Sequence, residues 1–74
     1  METELKQLVG KFVKVFSAGG HMFVKGTLCE AMIDPEMFSV YVDREMAGVC
    51  FGVKNVRQIR QGYSEMEIQL KTSM

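Results

Sequence analysis

The sequence contains few of the residues that commonly stabilise very small domains. Its 74 residues include only two cysteines, Cys29 and Cys50, one histidine and no tryptophan, and the cysteines do not form a CxxC pair. This composition argues against zinc and against a disulfide framework. We therefore expect no metal, no cofactor and two buried thiols that pack as small apolar groups, and the alternative is one disulfide between adjacent strands.

Net charge and long apolar runs are also absent. Lys plus Arg and Asp plus Glu are each 9, so the chain lacks the basic excess of a strong phosphate binder. No run approaches the roughly 20 apolar residues of a membrane span, and residues 1–10 are too charged for a signal peptide. His21 has no Asp or Cys at catalytic spacing. We expect a soluble, cytoplasmic protein that is not an enzyme.

The chain does contain short runs of alternating apolar residues. The run around the only proline, Pro35, has Met22, Val24 and Leu28 on one parity before it and Phe38, Val40 and Val42 on one parity after it. This period of two predicts two half-buried strands joined by a turn at Asp34 and Pro35. Gly26 interrupts the first strand and predicts a bulge or bend, which is how a short sheet curls into a barrel.

The remaining patterns extend this hairpin into a small barrel. Thr3 predicts the cap of a helix over about residues 3–9 that ends at Gly10 and packs through Leu5 and Leu8. We predict five strands, over residues 11–17, 21–32, 37–43, 49–53 and up to 61, with a polar turn at 44–48 and a 3₁₀-like entry to the fifth. The first strand is apolar on both faces, so we expect the core on one face and the helix or another subunit on the other.

Residues 63–74 form a separate tail in this interpretation. Met66, Ile68 and Leu70 alternate with polar residues, which predicts an extra strand that adds to an exposed sheet edge in this chain or in a neighbouring subunit. The alternative is a tail that stays disordered until a partner binds. We place the domain at residues 1–62 and expect the barrel to remain folded when the chain is truncated after Gly62.

This order of elements resembles the Sm-like (LSm and Hfq) superfamily over most of residues 5–61. The matching positions are Leu8-Val9-Gly10-Lys11 with Val13 and Val15, Gly26-Thr27-Leu28, Asp34 with Met37 and Val40, and Asn55-Val56 with Ile59. The resemblance implies a mostly β fold, a strongly bent, five-stranded, SH3-like open barrel with a short N-terminal α-helix. It also implies a ring in which the fourth strand of one subunit pairs with the fifth of the next, with about five to seven subunits.

In that family, two loops hold uridine-rich RNA in the ring pore. The first loop corresponds here to Asp34, Glu36 and Phe38, so an acid replaces the usual stacking residue and Phe replaces the Asn that reads the base. Asp34 is equally suited to a turn, and the parity of Phe38 favours the core over stacking on a base. The second loop corresponds either to Phe51-Gly52 or, as we prefer, to Lys54-Asn55.

Lys54 and Asn55 offer a cation for phosphate and an amide for a base edge, although a solvated turn explains them equally well. Arg57 and Arg60 are three residues apart and are candidates for a rim patch outside the pore. We expect a homo-oligomeric ring that binds single-stranded RNA with weak or altered base preference. The alternative is a structural ring module that binds a protein partner.

Overall fold

A computed structural model of the protein describes residues 2–31, 34, 36–42 and 45–72, with the backbone alone for residues 41–42 and 45–48. These residues form, in order, α1 (Glu2–Leu8), β1 (Phe12–Phe16), β2 (Met22–Glu30), β3 (Met37–Val42), β4 (Glu45–Gly52), a 3₁₀ helix (Val53–Asn55), β5 (Val56–Gln61) and β6 (Met66–Leu70). The strand ends predicted at Met32 and Asp43 lie outside the described residues.

All six strands belong to one strongly curled sheet that forms a half barrel. The strand order is β4-β3-β2-β1-β6-β5. β1 and β6 run parallel, and the other neighbouring strands are antiparallel. The prediction of a mostly β fold with one short N-terminal helix is confirmed, but the expected five strands are wrong because the tail supplies a sixth. The two ends of the sheet are β4 and β5.

β6 lies inside the sheet, which corrects the expectation that the tail would add to an edge. Ile68 of β6 is opposite Val15 of β1 on one side and Ile59 of β5 on the other. The Ile68 side chain is 0% exposed and Leu70 is 4% exposed. The strand therefore supplies part of the core and separates β1 from β5, so the barrel before Gly62 is not complete without it.

A tight turn at Gly62 joins β5 to β6. The Gly62 N–H donates to the carbonyl of Glu65, 2.9 Å away. A Cβ added at Gly62 would lie 2.5 Å from that carbonyl oxygen, which is too close for any side chain. Glycine is required here by the close approach of the backbone, and the predicted domain boundary at this residue is a hairpin turn within the sheet.

The core is formed by the inward parity of the strands together with the helix. Val13 and Val15 of β1 point inward, as their alternation predicts, and Leu5 and Leu8 of α1 pack against the same cluster. Burying each such side chain stabilises the fold by roughly 1.5–3 kcal/mol. α1 begins at Glu2, one residue earlier than predicted, so Thr3 lies within the helix and is not its cap.

Both expectations for irregular backbone are partly correct. Gly26 is buried and lies where β2 passes from pairing with β1 to pairing with β3, which fits a bend, but its register with Val13 is regular. The bulge lies instead beside Phe23, where the register shifts between Val15 and Phe16. The predicted turn at residues 44–48 is also shorter than expected, because β3 and β4 remain paired as far as Val42 and Glu45.

The two cysteines are free, and the sheet explains why. Cys29 of β2 and Cys50 of β4 lie opposite the same residue of β3, Ser39. One intervening strand separates their Cα atoms by about 9.5 Å, which exceeds the roughly 7 Å that a disulfide can bridge. The disulfide alternative is therefore wrong, and the prediction of two buried thiols is correct only in that both cysteines are free, since Cys29 is partly buried and Cys50 is exposed.

The outer face of β1 is exposed at Phe12 and partly buried at Lys14 and Phe16. α1 packs through Leu5 and Leu8 into the core, and Phe12 on the outer face of β1 is 45% exposed. The helix therefore does not pack on the outer face of β1, although the apolar residues on both faces of this strand predict that something covers it. Among the described residues no helix is long and apolar enough to cross a membrane.

Candidate nucleic-acid interface

The two segments that the sequence analysis singled out as candidate RNA-binding loops meet in the structure. The N–H of Val53, the first residue of the 3₁₀ helix, donates to the carbonyl of Glu36, 2.8 Å away. The end of β4 is close to the same loop, since a Cβ added at Gly52 would lie 3.3 Å from the sulfur of Met37. The β3–β4 pairing thus fixes two segments that are distant in sequence beside each other.

Asp34 acts as a turn residue. Its Oδ1 accepts a hydrogen bond from the N–H of Glu36 at 2.9 Å, and its carbonyl accepts one from the N–H of Met37 at 3.0 Å. These bonds close an Asx turn that leads into β3. Pro35, which the sequence places in this turn, lies outside the described residues. The side chains of Asp34 and Glu36 are both exposed, so this loop presents two acids to solvent.

Phe38 is a core residue, which corrects its assignment as a candidate for base stacking. The side chain is 0% exposed, and its ring stacks on that of Phe51 with 6.4 Å between centroids. A base would have to displace core packing to reach it. The apolar alternation of β3 carried the correct signal, because Phe38 shares the inward parity of Val40.

Lys54 and Asn55 lie in the 3₁₀ helix beside the acidic loop. Lys54 is exposed, whereas Asn55 is partly buried and fixed to the residues that follow β6. The N–H of Lys71 donates to the Asn55 carbonyl at 2.7 Å, and the hydroxyl of Thr72 donates to Asn55 Oδ1 at 2.8 Å. The Asn55 NH₂ group makes no hydrogen bond within the described part of the chain. Its two donors are therefore the groups with which Asn55 can bind a ligand.

Lys71 is an exposed cation that the sequence patterns did not associate with this site. It is distant from Asn55 in the chain, and no local pattern signals their contact. Only the antiparallel pairing of β5 with β6, in which Val56 is opposite Leu70, brings the two segments together.

Arg57 and Arg60 lie on β5, at an end of the sheet, and both are exposed. Arg57 is the extra residue at a register shift between Val56 and Gln58. Arg60 Nε lies 2.7 Å from Glu67 Oε1 on β6, so its charge is partly neutralised within the chain. The structure therefore places both arginines on the outer strand, and Arg57 has the less compensated charge.

A groove lies at the β5–β6 turn, away from Lys54 and Asn55. It is open, has a volume of about 390 Å³ and is lined by Lys11, Phe12, Gln61, Ser64, Glu65 and Met66. Lys14 Nζ lies 2.6 Å from Glu65 Oε1, and this hydrogen bond lowers the pKa of Glu65 and raises that of Lys14. The carboxylate is thus held in an ion pair. In the described part of the chain no His, Cys, Asp and Glu side chains cluster as metal ligands do.

Comparison with known proteins identifies no protein similar to this chain. No family model matches the chain, and no curated protein and no solved structure matches it significantly.

Proposed function

We propose that the chain is a ring-forming, Sm-like protein that binds single-stranded RNA through the surface around Lys54 and Asn55. One observation carries the proposal. The hydrogen bond from Val53 to Glu36 joins the two loops that correspond to the RNA-binding loops of the Sm-like family, and an exposed lysine follows directly at their junction. These side chains suit a binding module better than an enzyme, because they provide hydrogen-bond donors and charge but no pair of general base and nucleophile.

The ends of the sheet support assembly into a ring. β4 and β5 are its end strands, and they are the two strands that Sm-like subunits pair with one another. An end strand presents unpaired backbone groups, and head-to-tail pairing that closes on itself satisfies them in every subunit. A closed ring would also add stability to a chain near the lower size limit for one core. The additional strand β6 leaves both end strands free.

RNA contact in this proposal is mainly electrostatic. The ring of Phe38 is unavailable for stacking because it is buried, and the exposed acids Asp34 and Glu36 oppose phosphate on one side of the site. Lys54 is left to contact phosphate, and the Asn55 amide can donate to a base edge. Affinity should therefore be modest, strongly dependent on salt and only slightly selective among bases.

A charge change at Cys50 tests the assembly. Cys50 is exposed on β4, and β5 exposes Arg57 and Arg60. If β4 of one copy pairs with β5 of the next, Cys50→Lys should dissociate the ring through like-charge repulsion, whereas Cys50→Glu should preserve it. Particle mass by light scattering at equal ionic strength compares the two variants. Equal masses for Lys and Glu at this position would contradict the β4–β5 interface.

The RNA contact is tested by Lys54→Ala. We expect weaker binding of labelled oligo-uridine and a slope of log affinity against log salt that is less steep by about 0.7 for each phosphate that the protein no longer neutralises. Fluorescence anisotropy across a salt series gives both quantities. Lys6→Ala is the matched control, because Lys6 is an exposed lysine on α1. Identical slopes and affinities for the two variants would overturn the proposed RNA site.

A ring that binds a protein partner is the second candidate function. Phe12 is 45% exposed and Met22 is 50% exposed, and both lie on the outer parity of the β1–β2 pair. The two side chains lie at opposite ends of this pair, so a protein partner would cover both only by lying along the length of the β1–β2 face. Loss of binding partners on Phe12→Ser with unchanged RNA affinity would favour this function.

A further inference from the structure

The residues that follow β6 are fixed to the structure on both sides. On one side, the Asn55 carbonyl and Oδ1 accept hydrogen bonds from Lys71 and Thr72. On the other side, the N–H of Ala18, in the turn between β1 and β2, donates to the Thr72 carbonyl at 2.9 Å. These hydrogen bonds hold the segment of Lys71 and Thr72 against the 3₁₀ helix, so the backbone at Lys71 has a defined position.

This anchoring makes Lys71 a neighbour of Lys54. Lys54 precedes Asn55 in the chain, and the Lys71 N–H is bonded to the Asn55 carbonyl, so the backbone at each of these two exposed lysines adjoins Asn55. The acidic loop contacts the opposite end of the 3₁₀ helix, through Val53. Positive charge therefore lies toward the segment after β6, and negative charge lies toward the turn between β2 and β3.

We propose that Lys71 is a second phosphate-binding residue, and that the backbone of single-stranded RNA crosses Asn55 between Lys54 and Lys71. This proposal rests on the proposed function and extends its site to a residue outside the region of Sm-like resemblance. Two ammonium groups on either side of an amide donor suit consecutive phosphodiesters with a base or ribose between them. The path leads the strand away from Glu36, whose carboxylate would repel it.

The test compares Lys71→Ala, Lys54→Ala, the double variant and the control Lys6→Ala by anisotropy with labelled oligo-uridine across a salt series. Lys71→Ala should weaken binding and reduce the salt slope by about 0.7 for each phosphate no longer neutralised, and the double variant should show both reductions. Lys71→Glu should weaken binding further. Its backbone hydrogen bond to Asn55 does not depend on the side chain, so circular dichroism should show an unchanged fold.

Two results separate failure of this inference from failure of the proposed function. If Lys54→Ala weakens binding while Lys71→Ala behaves as Lys6→Ala does, the role of Lys71 is wrong and the proposed function stands. If neither Lys54→Ala nor Lys71→Ala differs from Lys6→Ala, the RNA site itself is wrong. Weaker binding by both single variants, with no change in Lys6→Ala, supports the two-lysine path.

Discussion

Truncation of the chain after Gly62 will abolish cooperative folding. It removes β6, which takes Ile68 and Leu70 out of the core and leaves the inner edges of β1 and β5 without a partner. Burial of these two side chains alone contributes roughly 1.5–3 kcal/mol each. Small domains have total stabilities of about 5–15 kcal/mol, and a chain of this length belongs near the lower end. Circular dichroism with urea titration measures the loss.

The matched control for this truncation ends after Thr72. It keeps β6 and the hydrogen bonds of Thr72 to Asn55 and Ala18, so its urea midpoint should equal that of the full chain. A chain ending at Gly62 that unfolds cooperatively at the same midpoint would show that β6 is dispensable and would restore the domain boundary expected from the sequence.

Phe38→Ala will destabilise the protein by about 3–5 kcal/mol, as expected for removal of a fully buried aromatic ring. The change leaves a cavity beside Phe51, whose ring stacks on Phe38. Phe38→Asn should lower the free energy of unfolding at least as much, because it also buries an amide group without a hydrogen-bond partner. This variant introduces the residue type that Sm-like proteins use to read uridine, yet here it should impair folding and not improve binding. Urea denaturation gives the free energies.

Phe12→Ala is the control for a generic loss of aromatic surface, since Phe12 is 45% exposed and lies outside the core cluster. Its effect on the free energy of unfolding should be well below that of Phe38→Ala. Equal effects of the two substitutions, or a stable Phe38→Asn variant that gains uridine selectivity, would contradict the core position of Phe38.

Period-two patterns in the sequence located the first four strands and most of their inward faces. Met22 shares its sequence parity with Leu28 but is 50% exposed, because the bulge beside Phe23 reverses the parity. Elsewhere the patterns succeeded because each strand has one buried face, so the parity of residues such as Val13 and Val15 reports burial directly. The same pattern identified Met66, Ile68 and Leu70 as a strand. It contains no information about which strand is the neighbour, and the parallel pairing of β6 with β1 was therefore missed.

The parts of the candidate site that form between residues close in sequence could be predicted. The parts that depend on the pairing of strands could not. The Asx turn at Asp34 follows from local residue preferences. The expected 3₁₀ entry to β5 is present, but it lies at Val53–Asn55, before the Val56 and Ile59 whose spacing predicted it. The contact of Asn55 with Lys71 depends on the register of β5 against β6, which alternation alone does not specify. Phe38 was ambiguous because an aromatic residue beside a loop suits both a core and a stacking role.

Light scattering of the unmodified chain tests the proposed ring most directly, because the proposed function is that of a ring-forming protein. We expect a single species of about five to seven times the chain mass of 8.4 kDa, independent of concentration in the micromolar range. A monomer of 8.4 kDa under these conditions would contradict it.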